Sequence, residues 1–289
     1  MKLGPYHVHP ILTGFFALDG GAMFGVVPHP VWSKKHPPDE LGRIRLALRA
    51  MLIQGKERII LVDTGVGQKW SDKLAARYGI DLQAQRLEQE LASHGISPED
   101  VTDVILTHLH FDHAGGVTKR ADDGGSCPTF PNARHYLQRR NLEAAQNPNG
   151  RERASYLEEN YAPLEQAGLL TILDGPCELF PGIELFMSDG HTTGQQLVLV
   201  RGEEGDELGG LLYCGDVIPT RSHVPVAWHM GYDVRPLVIM DEKEHLLERA
   251  TTENWGLFYE HDPHMSATRV YSTERGYTAG EELLFSAIV

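Results

Sequence analysis

The stretch His108-Leu109-His110-Phe111-Asp112-His113 packs four metal-binding side chains into six residues and is the most informative segment of the chain. Side chains two residues apart on an extended backbone point to the same side, so His108 and His110 can face one cation. Asp112 and His113 then turn elsewhere and can face another. One short segment can therefore supply ligands to two neighbouring metal ions.

The residues around this stretch predict where it lies in the fold. Val104-Ile105-Leu106 is typical of a buried strand, and Gly115-Gly116 allows the backbone to turn tightly. A strand that ends in such a segment predicts metal chemistry at the edge of a sheet. A polar loop that happens to contain three histidines is the alternative, because a short motif needs confirming context elsewhere in the chain.

The overall composition excludes several classes of protein. The 289 residues suffice for one large α/β domain or two small ones, and 26 basic against 40 acidic residues give a net charge of −14. Such a charge argues against a nucleic-acid or anionic-membrane partner, and no uncharged apolar run has the length of a transmembrane helix. The three cysteines form no CxxC pair and residues 1–10 do not resemble a secretory signal, so we expect a cytoplasmic protein.

Strands and helices alternate along the sequence, which is typical of an α/β protein. Strands are predicted at residues 44–53, 58–62, 103–107, 134–137, 170–173, 183–187, 196–200, 211–214 and 257–260. Helices are predicted at residues 81–94, 138–146, 151–167 and 241–254, the last from a capping box of Asp241 and Glu244. No Pro/Gly/Ser-rich linker divides the chain. We therefore predict one domain over residues 1–289, with an N-terminal loop extension around residues 18–39 and a second long loop at 120–132.

Three other places offer metal ligands at the ends of predicted strands. They are His191 in Gly190-His191-Thr192-Thr193-Gly194, Asp216 in Cys214-Gly215-Asp216, and His261 in Tyr259-Glu260-His261-Asp262. Taken singly, a histidine in a loop is usually a surface residue, and an aspartate after a strand is usually a turn former. Their shared position at strand ends favours one common metal centre. His264 competes with His261 for the last role, and the strand end favours His261.

These residues, in this order, resemble the metallo-β-lactamase fold superfamily of metallohydrolases over nearly the whole chain. The resemblance rests on Asp63 in Leu-Val-Asp-Thr-Gly, on the stretch from His108 to His113, and on His191, Asp216 and His261. It implies an α/β fold, the four-layer αββα sandwich, with the metals at one edge of its two sheets. It also implies that Asp63 orders the ligand segment from behind and is not itself a ligand.

The resemblance further implies a ligand set for two divalent ions, most often zinc, with iron, manganese or cobalt as alternatives. The first ion takes His108, His110 and His191, the second takes Asp112, His113 and His261, and Asp216 bridges the two. We expect Asp112 and Asp216 to be the catalytic carboxylates. Two such cations, about 3.5–4 Å apart, can hold a bridging hydroxide that attacks an ester carbonyl near neutral pH.

Within the superfamily, the chain is most similar to quorum-quenching N-acyl-homoserine lactone lactonases. The likeness lies in residues 18–28 with Trp32 soon after, and in the form of residues 106–116. It implies a small ester or lactone as substrate, and a homodimer with the N-terminal loop as candidate interface. Methyl-parathion-hydrolase-type enzymes share parts of the same loop, so the likeness specifies the chemistry better than the substrate.

Two departures from the lactonases bear on the substrate. Thr193 and Gln195 stand where many lactonases have Pro and His, and no tyrosine follows Asp216 closely. Four residues are candidates to replace that tyrosine: Thr220, His223, His229 and Tyr232. Five further side chains are either walls of an acyl pocket or ordinary core residues: Phe15, Phe16, Met23, Phe24 and Trp32.

Other proteins use the same kind of site. A phosphotriesterase or phosphodiesterase would act on phosphorus, and a glyoxalase II-like enzyme would cleave a thioester, usually with basic residues of which no clear cluster is evident here. RNA-processing members bind polyanions, which the acidic composition disfavours. Di-iron redox members typically have Glu at the position of His110, and a non-catalytic binding protein would be expected to lack ligands that are all present here.

Overall fold

The computed structural model describes residues 1–285, which form two seven-stranded sheets and a separate two-stranded hairpin. The strands are β1 (Lys2–Leu3), β2 (Tyr6–Asp19), β3 (Arg43–Gln54), β4 (Ile59–Val62), β5 (Asp103–Ile105), β6 (Thr118–Arg120), β7 (Ser126–Pro128), β8 (Arg134–Gln138), β9 (Leu170–Leu173), β10 (Cys177–Phe180), β11 (Ile183–Ser188), β12 (Gln195–Arg201), β13 (Gly210–Tyr213), β14 (Trp255–Phe258), β15 (Ala267–Thr273) and β16 (Gly276–Glu282). The α-helices are α1 (Gly20–Phe24), α2 (His29–Trp32), α3 (Asp72–Arg77), α4 (Leu87–Ser93), α5 (Phe111–Ala114), α6 (Arg139–Gln146), α7 (Ala162–Gln166) and α8 (Pro236–Thr252).

Both large sheets are mixed. The first has the strand order β1-β2-β3-β4-β5-β8-β9, and the second runs β10-β11-β12-β13-β14-β15-β16. In the first sheet β4, β5, β8 and β9 are parallel, and in the second β13 and β14 are parallel. Parallel neighbours end at the same edge of a sheet, so the loops that follow β4 and β5, and those that follow β13 and β14, are brought side by side.

The central strands are apolar on both faces because both faces are covered. In β3, Met51 and Ile53 face the core between the two sheets, whereas Ala50 and Leu52 face the helices outside. Successive side chains of a strand point to opposite faces, so a strand buried on both sides is a continuous apolar run. The same alternation holds in β12, which explains why both strands could be predicted from sequence.

Helices cover the outer face of each sheet. Leu91 of α4 and Leu164 of α7 pack on the first sheet, and Ile239 and Leu247 of α8 pack on the second. The order helix, sheet, sheet, helix confirms the predicted α/β fold, a four-layer αββα sandwich. Within the described part of the chain, no helix combines the length and the apolarity that crossing a bilayer requires.

The segment 18–39 contains the short helices α1 and α2, which pack on the first sheet. The rings of Phe24 and Trp32 stack with their centroids 5.6 Å apart, and both rings are buried together with Phe16 and Met23. Gly20 has to be small here, because a Cβ atom would lie 2.5 Å from the Trp32 ring. This segment therefore belongs to the packed interior as well as to the surface.

Other sequence predictions differ from the structure. Seven strands were not predicted: β1, β2, β6, β7, β10, β15 and β16. Of these, β2 contains Pro10 and a bulge between Leu12 and Gly14 that interrupts its alternation. The predicted helix at 81–94 is helical only in a 3-10 turn and in α4, and the one at 151–167 is reduced to turns and α7. The predicted loop at 120–132 includes β7 of the small hairpin. Helix α8 begins at Pro236, before the predicted Asp241, because proline suits the first turn of a helix, where no N–H partner is needed.

Candidate metal centre

The ligand segment His108–His113 follows β5 in the parallel part of the first sheet. Its backbone is held by neighbouring loops: the Leu109 N–H donates to the Asn141 side chain at 2.9 Å, and the His113 carbonyl accepts from the Thr64 N–H at 2.8 Å. The short helix α5 turns the second half of the segment away from the first half. Both halves of the segment are thus held by hydrogen bonds to neighbouring loops.

Close packing behind the segment explains its glycines. A Cβ atom on Gly115 would lie 2.2 Å from the Val66 carbonyl oxygen, and one on Gly67 would lie 2.4 Å from the Gly115 carbonyl oxygen. The buried Lys69 ammonium donates to the Gly115 and Thr118 carbonyls at 2.5 and 2.8 Å. Two backbones therefore touch here without side chains between them, which locks the end of the ligand segment.

The other three candidate ligands follow strands of the second sheet. His191 lies between β11 and β12, Asp216 follows β13, and His261 follows β14. Because β13 and β14 are parallel, Asp216 and His261 emerge at the same edge. The loop at His261 is tied to the first sheet, since the Ala47 N–H donates to the His261 carbonyl at 3.1 Å.

The seven side chains predicted as ligands converge in two buried groups. One group contains His108, His110 and His191, and the other contains Asp112, His113, Asp216 and His261, with the candidate donor atoms of each group within 4.8 Å of one another. Asp216 joins the groups, because its Oδ2 lies 3.1 Å from His191 Nε2 and its Oδ1 lies 3.2 Å from His261 Nε2. His264, the rival considered for the last position, is in neither group.

Hydrogen bonds behind the rings leave lone pairs aimed at one another. Three rings have an oxygen 2.8–2.9 Å from Nδ1: His113 has Asp63, His191 has Asp233, and His261 has the Ala47 carbonyl. A neutral ring that donates from Nδ1 keeps its lone pair on Nε2. Nevertheless, His261 Nε2 lies 3.4 Å from His113 Nε2, and His191 Nε2 lies 3.2 Å from His110 Nδ1. At such distances two neutral rings present their lone pairs to one shared cation. Without that cation a proton takes its place, because the charge of Asp216 outweighs burial and raises the pKa of His261 to about 9.

Unpartnered buried atoms agree with this reading. His108 Nε2 and Asp216 Oδ1 are buried and have no hydrogen-bond partner among the residues described. Burial alone would raise the pKa of Asp216, but the positive charge of three nearby protonated histidines lowers it well below its usual range, and a bound cation would act in the same direction, so the carboxylate is ionised. Five imidazoles and two carboxylates are donors that suit zinc and other divalent ions. The residues present therefore fit a pair of divalent cations.

Two buried carboxylates lie behind His113. Asp63 Oδ2 lies 2.9 Å from His113 Nδ1, and its Oδ1 accepts from the Thr107 N–H at 2.7 Å, as the resemblance implied for a residue that orders the segment. Glu260 Oε2 lies 2.8 Å from the same Nδ1 and accepts from the Tyr213 hydroxyl at 2.6 Å. Burial raises the pKa of Glu260 to about 7, and the charge of His113 opposes that rise.

A cavity of about 290 Å³ opens above the two groups. Its floor is formed by five of the candidate ligands: His110, Asp112, His191, Asp216 and His261. Its apolar walls include Leu18, Met23 and Met230, and a polar part is formed by Arg151 and Glu152. A small molecule with an apolar part could therefore reach the candidate metal site.

Only part of the predicted acyl pocket lines this cavity. Met23 does so, whereas Phe16, Phe24 and Trp32 are core residues, and Phe15 lies under the Arg45 guanidinium, 3.6 Å from ring centroid to Cζ. The core interpretation that was left open in the sequence is therefore the correct one for most of the aromatic rings.

Of the four candidates for a substitute tyrosine, Tyr232 lines the cavity. Thr220 and His223 are buried and hydrogen-bonded to each other at 2.8 Å, with no place in the cavity wall. The ring of His229 donates to the Met230 carbonyl at 3.0 Å instead. Among the four candidates, the structure therefore favours Tyr232 as the substitute for the missing tyrosine.

Three carboxylates of the site were not identified from sequence. Glu152 lies in a stretch predicted as helix, and Asp233 lies in a stretch without any strand or helix pattern. Both approach their histidines from far along the chain, so no local spacing could reveal them. Glu260 offered one signal, because it directly precedes the candidate ligand His261.

Two facing sheets with buried His/Asp groups at the ends of their strands define the class of metal-dependent hydrolases with this sandwich fold. The chain belongs to the metallo-beta-lactamase superfamily, whose family model matches residues 48–261.

Individual relatives agree with this assignment. The chain is 30% identical to an N-acyl homoserine lactonase from a Bacillus species over 238 residues, which cover 78% of this chain and 84% of that protein. The crystal structure of a probable metal-dependent hydrolase from Staphylococcus aureus is 30% identical and superimposes with a TM-score of 0.88 over 100% of both chains. AidC, a dizinc quorum-quenching lactonase, shares the fold with a TM-score of 0.77 at 21% identity, over 99% of this chain and 97% of that one.

Proposed function

We propose that this protein is a binuclear metal-dependent hydrolase that opens a lactone or cleaves a related carboxylic ester. The observation that carries the proposal is the pair of buried ligand groups, joined by Asp216, beneath a cavity with apolar walls. The 30% identity with an N-acyl homoserine lactonase over most of both chains supports a lactone as the substrate class.

Bound divalent cations supply Lewis acidity at the cavity floor and lower the pKa of water to about 7. In this proposal His108, His110 and His191 hold one cation, Asp112, His113 and His261 hold the other, and Asp216 faces both. Zinc is the metal that we propose, with iron, manganese and cobalt as the alternatives that elemental analysis distinguishes.

The chain's own residues orient the substrate and exclude water. Asp112 and Asp216 are the proposed catalytic carboxylates, because both lie at the cavity floor, and Asp216 sets the spacing of the two ligand groups. Leu18 and Met23 take the apolar acyl part. Tyr232 lines the cavity, and its hydroxyl contacts the carbonyl or the leaving oxygen.

The substrate class is tested with purified protein of known metal content. A panel of N-acyl homoserine lactones, aryl esters, phosphotriesters and thioesters is compared by kcat/KM. We expect the lactones to be preferred. A higher kcat/KM for phosphotriesters or thioesters would overturn the lactone assignment in favour of the corresponding reaction on the same site.

The role of Asp216 is tested by the variant Asp216→Ala, with Asp122→Ala at an exposed position as the matched control. The first variant should lose metal and turnover but keep most of its secondary structure, and the control should keep both. Full turnover in Asp216→Ala would remove the bridging role from the proposal.

Three wider predictions belong to the same proposal. They are a single domain over residues 1–289, a cytoplasmic location and a homodimer. Limited proteolysis, cell fractionation and sedimentation of the purified protein test these three in turn.

A further inference from the structure

Two loops that wall the cavity each place a buried carboxylate behind a candidate ligand of the first metal. Asp233, 2% exposed, has its Oδ1 2.9 Å from His191 Nδ1. Its Oδ2 accepts from the Met230 N–H at 2.8 Å, so both oxygens of the carboxylate are oriented. The adjacent backbone reaches the same loop, since the Val234 N–H donates to the His191 carbonyl at 3.1 Å.

Glu152 has a similar position behind His110. Its side chain is buried at the cavity wall, and its Oε1 lies 3.6 Å from His110 Nε2. This distance is longer than a hydrogen bond, and His110 Nε2 has no hydrogen-bond partner among the residues described, so the carboxylate acts on the ring through its charge. Since His110 Nδ1 faces His191, the proton of a neutral His110 ring is on Nε2, on the side of this carboxylate. Glu152 also accepts from the hydroxyl of Thr192, the residue that follows His191. Glu152 therefore lies beside His110 and is also hydrogen-bonded to the residue that follows His191.

Arg151 connects these two loops. Its guanidinium donates to the carbonyls of Gly231 and Asp233, the latter at 3.2 Å, and Arg151 is the direct neighbour of Glu152. The same side chain lines the cavity. The walls that would touch a substrate and the carboxylates that hold the rings are therefore parts of one connected network.

We propose that Asp233 and Glu152 are positioning residues that hold the rings of His191 and His110, and that Arg151 couples them by joining the two cavity walls. The inference rests on the metal site of the proposed function, but not on the choice of substrate. Partners of this kind typically change metal affinity 10- to 100-fold when removed. The second metal group is held instead by Asp63 and the Ala47 carbonyl, so only the first should weaken.

Zinc affinity of the purified, metal-depleted protein tests the proposal through competition with a chromogenic chelator. The variants are Asp233→Asn, Glu152→Gln and Arg151→Met, with the exposed Asp241→Asn and Arg153→Met as matched controls. In Asp233→Asn, one of the two zinc equivalents should bind about 10- to 100-fold more weakly and the other as in the wild type. Glu152→Gln should weaken the same equivalent, and the controls should change neither.

Two further readouts separate positioning from a purely structural role. Cobalt-loaded Asp233→Asn should show an altered d–d absorption band for one of the two ions, whereas the melting temperature of its metal-free form should stay close to that of the wild type. In Arg151→Met the same equivalent should weaken severalfold. The double variant Arg151→Met/Asp233→Asn should lose less than the sum of the two single losses, because Arg151 acts through the Asp233 loop.

The proposal is overturned if both zinc equivalents weaken equally, if neither does, or if the variants only melt earlier without metal. A wild type that binds two equivalents but hydrolyses no lactone refutes the substrate assignment and leaves the proposal standing. A wild type that binds no divalent metal refutes both.

Discussion

The buried side chain of His135 should lower the stability of the folded protein in acidic solution. Its ring lies on β8 and is fully buried, and neither ring nitrogen makes a well-formed hydrogen bond to any of the residues described. Burial lowers the pKa of His135 from 6.5 to about 4, and the nearby backbone at Leu169 and Ala133 offsets this only in part. Between about pH 4 and pH 6.5, His135 is therefore mostly neutral in the folded protein and mostly protonated in the unfolded chain.

The sign and size of the effect follow from the two pKa values. As the pH falls below 6.5, His135 becomes protonated in the unfolded chain but stays neutral in the folded protein until about pH 4. The free energy of unfolding therefore decreases over this interval. Between about pH 7.5 and pH 5 the loss is about 2 kcal/mol, and it levels off at about 3 kcal/mol in more acidic solution. His135→Leu removes the titrating group and, with it, this part of the acid sensitivity.

Urea unfolding of chelator-treated protein measures the effect without interference from metal release. The difference in unfolding free energy between His135→Leu and wild type should grow by about 2 kcal/mol in favour of the variant from about pH 7.5 to pH 5. His245→Leu, at an exposed position of α8, controls for the loss of a histidine as such. A difference for His135→Leu that stays constant with pH would refute the reasoning.

Two other perturbations have definite expected outcomes. Lys243→Met should lower the melting temperature by about 10 °C relative to the exposed control Lys73→Met. Three carbonyls of the loop at residues 223–228 lose their donor, at a cost of about 1–3 kcal/mol each. Equal melting temperatures of the two variants in a calorimeter would contradict this. Metal removal by a chelator should also lower the melting temperature, and two equivalents of zinc should restore it. A ligand that binds only the folded state, at a concentration about 1,000 times its Kd, adds about 4 kcal/mol to the free energy of unfolding. An unchanged melting temperature would argue against a native divalent site.

The first ligand segment could be predicted because its information is local. Four of the seven candidate ligands lie within six residues, directly after an apolar strand. His191, Asp216 and His261 could be added because each follows or precedes a recognisable strand of the second sheet. Strand ends are fixed by the sheet, so a spacing of a hundred residues in sequence still leads to one place in the fold.

The carboxylates that face the candidate histidine ligands could not be predicted, because their partners are distant in sequence. Asp233 meets His191 across 42 residues, and neither neighbour of Asp233 marks it as part of a site. The unpredicted β2 shows the same limit for the fold, since its bulge at Gly14 breaks the alternation that sequence analysis depends on. Features such as Asp233 and β2 leave no local signal in the sequence and become visible only through their tertiary contacts.

Helix α8 shows how such contacts support the site without touching it. Glu242 accepts from the backbone N–H groups of Asp189 and Gly190, at 2.8 and 3.2 Å, directly before His191. The next residue, Lys243, donates to the Trp228 carbonyl at 2.7 Å, beside the cavity wall. Adjacent positions on a helix point about 100° apart, so one helix can hold two separate loops at once. The loop that carries the candidate ligand His191 and the loop beside the cavity wall are therefore held by the same helix.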